Sequence, residues 1–148
     1  MKLESNFFLA DEIRSMADGK PMAMGLFPDQ IVVLKLPEQY FSARASGELP
    51  SVGTDLSALV CIKNLPAGSY APKVSLLCPN GEAHPQVQVD KLIVTAQDRQ
   101  SVNVILMMKG LSLTEPGFYR MALGFEGFEA IEHVFEIRFE QEMAAPKT

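Results

Sequence analysis

Tryptophan is absent from these 148 residues, histidine and cysteine occur twice each, and the longest uncharged apolar run, SVNVILMM at 101–108, is short. That run is far below the roughly 20 residues of a membrane-spanning helix, so no helical span is expected. Near the start, charges flank only the apolar stretch Phe7 to Ala10, where a secretory signal takes about 7 to 15 such residues; the expected location is the cytoplasm. Two cysteines, Cys61 and Cys78, supply neither a disulfide framework nor a paired Cys-x-x-Cys for zinc.

Other absences narrow the chemistry. There is no His-x-x-x-His, no Asp-x-Asp-x-Asp-Gly calcium loop, no Gly-x-x-x-x-Gly-Lys or Gly-x-Gly-x-x-Gly phosphate loop, and no Gly-x-Ser-x-Gly elbow. The two histidines, His84 in GEAHPQ and His133 in a strand-like run, sit in no catalytic motif. No catalytic residue, metal ligand or cofactor is assigned, and the chain is expected not to be an enzyme. A basic stripe that could release counterions from phosphates is also missing, which argues against nucleic acid as a partner.

What is present is a regular two-residue beat. Tyr119, Met121, Leu123 and Phe125 alternate with Arg120, Ala122, Gly124 and Glu126, and Phe135, Ile137 and Phe139 alternate with Glu136, Arg138 and Glu140. Such one-sided alternation marks strands with one buried and one wet face. Turn signals punctuate the chain at short intervals: Asp18-Gly19, Pro28-Asp29, Ala67-Gly68, Asn80-Gly81, Pro116-Gly117 and Glu126-Gly127. The pattern predicts about nine strands, at 6–14, 21–27, 30–36, 55–63, 73–78, 87–95, 101–109, 118–126 and 131–140. Helix is expected only near 37–44, which has no obvious cap, and around 140–145. The fold class is all-β: one antiparallel β-sandwich over 1–142, Greek-key or immunoglobulin-like, with 143–148 as a frayed tail. Its length and 47% hydrophobic content allow one core without metal or disulfides. If 56–63 and 73–78 form a hairpin around Ala67-Gly68, Cys61 and Cys78 lie two registers apart, too far to bridge.

Two stretches, DGKPMAMGLF (18–27) and LTEPGFYRMAL within 104–127, resemble an uncharacterised bacterial family of small β-rich proteins. There a Gly-Lys hairpin leads to a Gly-hydrophobic-Phe strand, and a late Pro-Gly-x-Tyr turn opens another. The resemblance implies a bacterial β fold and transfers no activity.

Net charge is −5, and six glutamates (126, 129, 132, 136, 140 and 142) against Arg138 account for all of it. Glu132, Glu136 and Glu140 would share a strand face at a spacing too wide to hold one ion, as a solvated face does. Two runs break the alternation. VNVILMM sets Val102, Val104, Leu106 and Met108 against Ile105 and Met107, and IVVLKL is apolar on both sides with Val32 and Leu34 among its residues. Apolar residues on an outward face forgo about 1.5 to 3 kcal/mol each unless something covers them. Either a neighbouring loop such as EQYFSARASGELP does so, or a partner does. Val32, Leu34, Ile105 and Met107 are therefore the candidate interface of a non-enzymatic interaction or structural protein, self-associating as a homo-oligomer or binding another protein. The rival is a small-ligand-binding or hydrolytic sandwich with a loop-end site around Asp29, Glu82 and His84.

Overall fold

A computed structural model of the chain describes residues 2–18, 20–89, 91–98 and 100–142. The expected tail at 143–148 lies outside them, as do residues 143–145 of the helix expected around 140–145, of which residues 140 and 141 are strand. The described residues form eleven strands and one short helix. These are β1 (Ser5–Ser15), β2 (Pro21–Leu26), β3 (Ile31–Leu36), α1 (Glu38–Ala45), β4 (Val52–Ile62), β5 (Gly68–Tyr70), β6 (Lys73–Leu77), β7 (Ala83–Val89), β8 (Val94–Ala96), β9 (Val102–Leu113), β10 (Gly117–Gly124) and β11 (Ile131–Gln141). A four-stranded sheet in the order β2-β1-β4-β9 lies against a five-stranded sheet in the order β3-β11-β10-β6-β7. The architecture is the expected all-β sandwich. Pairing is antiparallel throughout except where β3 runs parallel to β11.

Alternation explains the core. Phe7 and Leu9 of β1, Leu56, Ala58, Val60 and Ile62 of β4, and Val102, Val104, Leu106 and Met108 of β9 face inward from one sheet. Val74 and Leu76, Tyr119, Met121 and Leu123, and Ile131, Phe135 and Ile137 meet them from the other. Each of the larger side chains removed from water in this way contributes about 1.5 to 3 kcal/mol, which is why the two-residue period prevails over the scattered turn residues.

Three expectations need correcting. β4 does not pair with β6; it lies between β1 and β9, and β6 belongs to the opposite sheet. Ala67-Gly68 therefore opens β5 in a crossing between sheets instead of closing a hairpin. The cysteines are unbridged as expected, but for another reason: Cys61 on β4 and Cys78 just beyond β6 belong to different sheets. The single strand expected at 87–95 is two, β7 and β8, and β5 was not anticipated. β5 and β8 form a small ribbon whose Tyr70 ring packs edge-on to Phe125 at 5.9 Å and Phe128 at 6.4 Å.

α1 falls where expected, with Pro37 at its start and no side-chain cap. It is held by Tyr40, buried edge-on against Phe139 at 5.5 Å. Pro116-Gly117 makes the turn into β10: Gly117 has φ of 138°, and an added Cβ would meet the Pro79 ring at 3.0 Å. Two residues on, the Tyr119 ring enters the core and its hydroxyl donates to the Glu115 carbonyl at 2.6 Å. Burial, and then the neighbouring Cys78, Glu115 and Tyr40, push the phenol well above its ordinary pKa, so this hydroxyl remains a donor.

Candidate functional site

The face of the four-stranded sheet turned away from the core is uncharged across its centre and largely apolar there. Residues alternating with the inward set are Asn6, Phe8 and Ala10 on β1, Ser57, Leu59 and Cys61 on β4, and Asn103, Ile105 and Met107 on β9. Register aligns them in rows across three strands: Phe8, Leu59 and Ile105 in one, Ala10, Ser57 and Met107 in the next, and Asn6, Cys61 and Asn103 in the third. No row carries a formal charge. Ala10 and Leu59 are buried with Ile13 in a second cluster, separate from the core, to which Ala23, Cys61 and Ile105 add partial burial. Phe8 is 44% exposed, Leu26, paired with Ala10, is 53%, and Met107 is 63%. The centre of the face is thus filled by its own neighbours, and its margins remain open to water. Asp11, Glu12, Asp55 and Lys109 line a dent beside Met107, forming a charged rim at one end. Lys63 follows the paired part of β4 at the other.

Of the four candidate interface residues, two belong to this face. Ile105 is half-buried and Met107 projects from it. The other two are elsewhere. Val32 is 1% exposed and paired with Ile137 in the main core, so it is unavailable to a partner, and Leu34 is half-buried against that core. Their strand, β3, lies at the edge of the opposite sheet. Phe8, Leu26 and Leu59, which complete the apolar face, were not singled out. For Phe8 the clue is the unbroken run Phe7 to Ala10, another stretch without alternation.

Beside β9 the two sheets are clasped. The Gln86 side chain on β7 donates from Nε2 to the Gly110 carbonyl at 3.0 Å and accepts the Ser112 N–H at 2.7 Å, as a strand's backbone would. His84 accepts the Gln86 N–H on Nδ1 at 3.1 Å, which leaves Nε2 to carry the proton and donate to the Ser112 carbonyl at 2.6 Å. Asp55, at a bulge in β4, accepts the Gly110 N–H at 2.7 Å. His84 shares a cleft of about 360 Å³ with Glu82 and Glu115, but Asp29 does not line it. Both ring nitrogens of His84 are engaged by backbone, so it is held as a structural bridge. In this arrangement neither ring nitrogen is left free toward the cleft.

His133 is placed differently. It points inward from β11 at one end of the sandwich, stacked on Phe7 with ring centroids 5.1 Å apart and 8° between planes. Its Nε2 lies 2.8 Å from Ser5 Oγ on β1. Burial lowers its pKa, favouring the neutral ring. Ser5 and His133 border a cavity of about 780 Å³ that Lys2, Glu4, Glu129 and Glu132 also line. Among the described residues no group of three or more His, Cys, Asp or Glu is placed to hold a metal ion, and no helix is long and apolar enough to cross a membrane.

No family model matches the chain, and neither does any curated protein. Among solved structures it is similar to a β-glucosidase from Listeria innocua. Its complex with glucose gives a TM-score of 0.41 at 16% identity, and its complex with gluconolactone 0.42 at 16% identity; each covers 92% of this chain and 16% of that one. The chain therefore spans about a sixth of the length of the structures it matches. At these scores neither the enzyme's activity nor its ligands carry over.

Proposed function

We propose that this chain is a non-enzymatic interaction module that docks through the outer face of the β2-β1-β4-β9 sheet, and that the occupant is a second copy of itself. The observation that supports this reading most directly is the set of three uncharged rows running across β1, β4 and β9. An antiparallel sandwich ordinarily keeps its outward faces polar, and an apolar centre with a charged rim is the anatomy of an interface. Four strands about 4.8 Å apart, paired over about six to ten residues, present about 400 to 600 Å². Two copies face to face would bury about 1,000 Å² in total, near the lower bound of specific interfaces. A weak isologous dimer fits such a patch, because the same surface serves both copies.

The finer topology belongs to the same proposal. The edge strand β3 running parallel to the last strand, and the Tyr119 hydroxyl turned back to Glu115 ahead of β10, favour immunoglobulin-like connectivity. A place in the small bacterial β-rich family stays with the two sequence stretches that suggest it.

The test is Met107→Asp, at a position exposed enough that the fold tolerates the change. Sedimentation equilibrium of the parent chain should give a mass that rises with concentration on the order of micromolar to tens of micromolar, and the variant should remain monomeric. A parent chain that is monomeric across that range removes the proposal.

A further inference from the structure

Beyond docking, the end of the sandwich near Ser5 carries a reactive arrangement. Ser5 and His133 are 128 residues apart in sequence and stand on different sheets, yet Oγ and Nε2 meet at 2.8 Å beside the open cavity. Three conditions for an activated serine hydroxyl are met together. The ring nitrogen that faces Ser5 is Nε2, which accepts the hydroxyl proton when the ring carries its own proton on Nδ1. The ring is held in orientation by the parallel Phe7 ring. Ser5 is half-buried and still borders a cavity large enough to admit a small molecule. A nucleophile within hydrogen-bond reach of a base that a third group orients is the general form of nucleophilic activation.

We propose that Ser5 is an acyl-acceptor site, activated by His133 and open to small activated esters or thioesters. In the step, Ser5 Oγ attacks the acyl carbon while His133 Nε2 takes the hydroxyl proton. The carbon–oxygen or carbon–sulfur bond to the leaving group then breaks, and the proton passes from Nε2 to that group. The products are an acyl-serine ester and the free alcohol or thiol, with no oxidant or cofactor needed. His133 Nδ1 has no hydrogen-bonding carboxylate partner among the described residues, so the imidazolium formed during transfer is less stabilised than in a triad. A serine alkoxide is also a poorer leaving group than an aryl oxide or a thiolate. The acyl group should therefore be accepted once and retained, as a modification and not as a turnover. Glu4, Glu129 and Glu132 against the single Lys2 around the cavity favour neutral or cationic acyl donors over anionic ones.

The experiment uses the full chain with p-nitrophenyl acetate near neutral pH, followed by peptide mapping of the acetylated positions. Ser5 should be acetylated at least about 100-fold faster than in the same chain unfolded in urea, the contribution expected of a positioned base. His133→Phe, which keeps a ring on Phe7, should remove that advantage, and Ser5→Ala should remove the hydroxylamine-labile adduct. Should His133→Phe fail to fold, the parent chain still decides the matter. Its Ser5 acetylation rate should climb as His133 loses its proton, with a midpoint below 6.5, the ordinary value for histidine. Ser5 acetylation no faster in the folded chain than in the unfolded one, or a rate indifferent to His133, overturns the proposal.

Discussion

The two outward faces of this sandwich are both built mainly of antiparallel strands, and they differ in what they do with charge. On the five-stranded sheet, outward residues of β11 and its neighbours form ion pairs: Arg120 with Glu132 at 3.6 Å, Arg138 with Glu136 at 2.9 Å, and Lys35 with Glu140. Val134 and Phe118 are exposed there, separated from one another by charged neighbours. Scattered apolar residues of this kind need no partner. On the four-stranded sheet the corresponding positions are Phe8, Leu59, Ile105 and Met107, with no charge among them. One face stays wet on its own. The other buries part of itself through side-chain crowding and leaves its margins uncovered. Three of the six late glutamates that give the chain its acidity, Glu132, Glu136 and Glu140, lie on the solvated face, and each has a basic partner there.

The comparison breaks most readily at its centre. Leu59 is 6% exposed although it points outward, so Leu59→Asp should cost about 4 kcal/mol in urea denaturation, through lost burial and an unpaired carboxylate. A cost below about 1 kcal/mol would mean that the second cluster is not structural.

A smaller effect concerns His133, which joins the two sheets at one end. Its folded pKa is depressed, so between that value and 6.5 the unfolded chain binds more protons than the folded one. Stability is then complete above about pH 6.5 and falls as the pH drops below it, by at most about 1.4 kcal/mol per pH unit. Urea midpoints from pH 8 to 5, with His133→Phe as the flat control, would register it.

The two faces can also be compared by matched substitutions. Val134→Asp on the charged face should change stability by no more than about 0.5 kcal/mol and leave the sedimentation mass untouched, whereas Met107→Asp on the apolar face should alter that mass. Equal behaviour of the pair would erase the distinction between faces. Smallest of all, Lys35→Ala should leave thermal unfolding unchanged at moderate salt, because Lys35 and Glu140 are both solvent-exposed and an exposed pair is screened.

The strand pattern was readable because burial on one side imposes a period of two, and most strands follow it closely. It was unreadable where both parities are apolar. In IVVLKL nothing in the residues themselves decides whether Val32 or Val33 faces in; the parallel register with β11, which sets Val32 against Ile137 in the core and Val33 against Arg138 outside, decides it. The same ambiguity hid Phe8 behind Phe7. AHPQVQV escaped notice as the start of a strand because its buried residues are His84 and Val87, and because Pro85 is tolerated only at an edge. Ala67-Gly68 has the residues of a hairpin turn but leads across to the other sheet, since adjacent strands in sequence need not be neighbours in a sheet. Ser5 with His133, and Gln86 with Gly110 and Ser112, are pairs made by topology across 128, 24 and 26 residues, and no local pattern announces them.

The side-chain amide of Gln86 occupies backbone groups on the outer edge of β9 that another extended chain would otherwise use. Growth by adding strands sideways is thereby discouraged along that part of the molecule. Stacking through one self-complementary surface ends at a pair, whereas lateral addition could continue without limit into a fibre. A single glutamine thus helps guard this stretch of edge against open-ended addition.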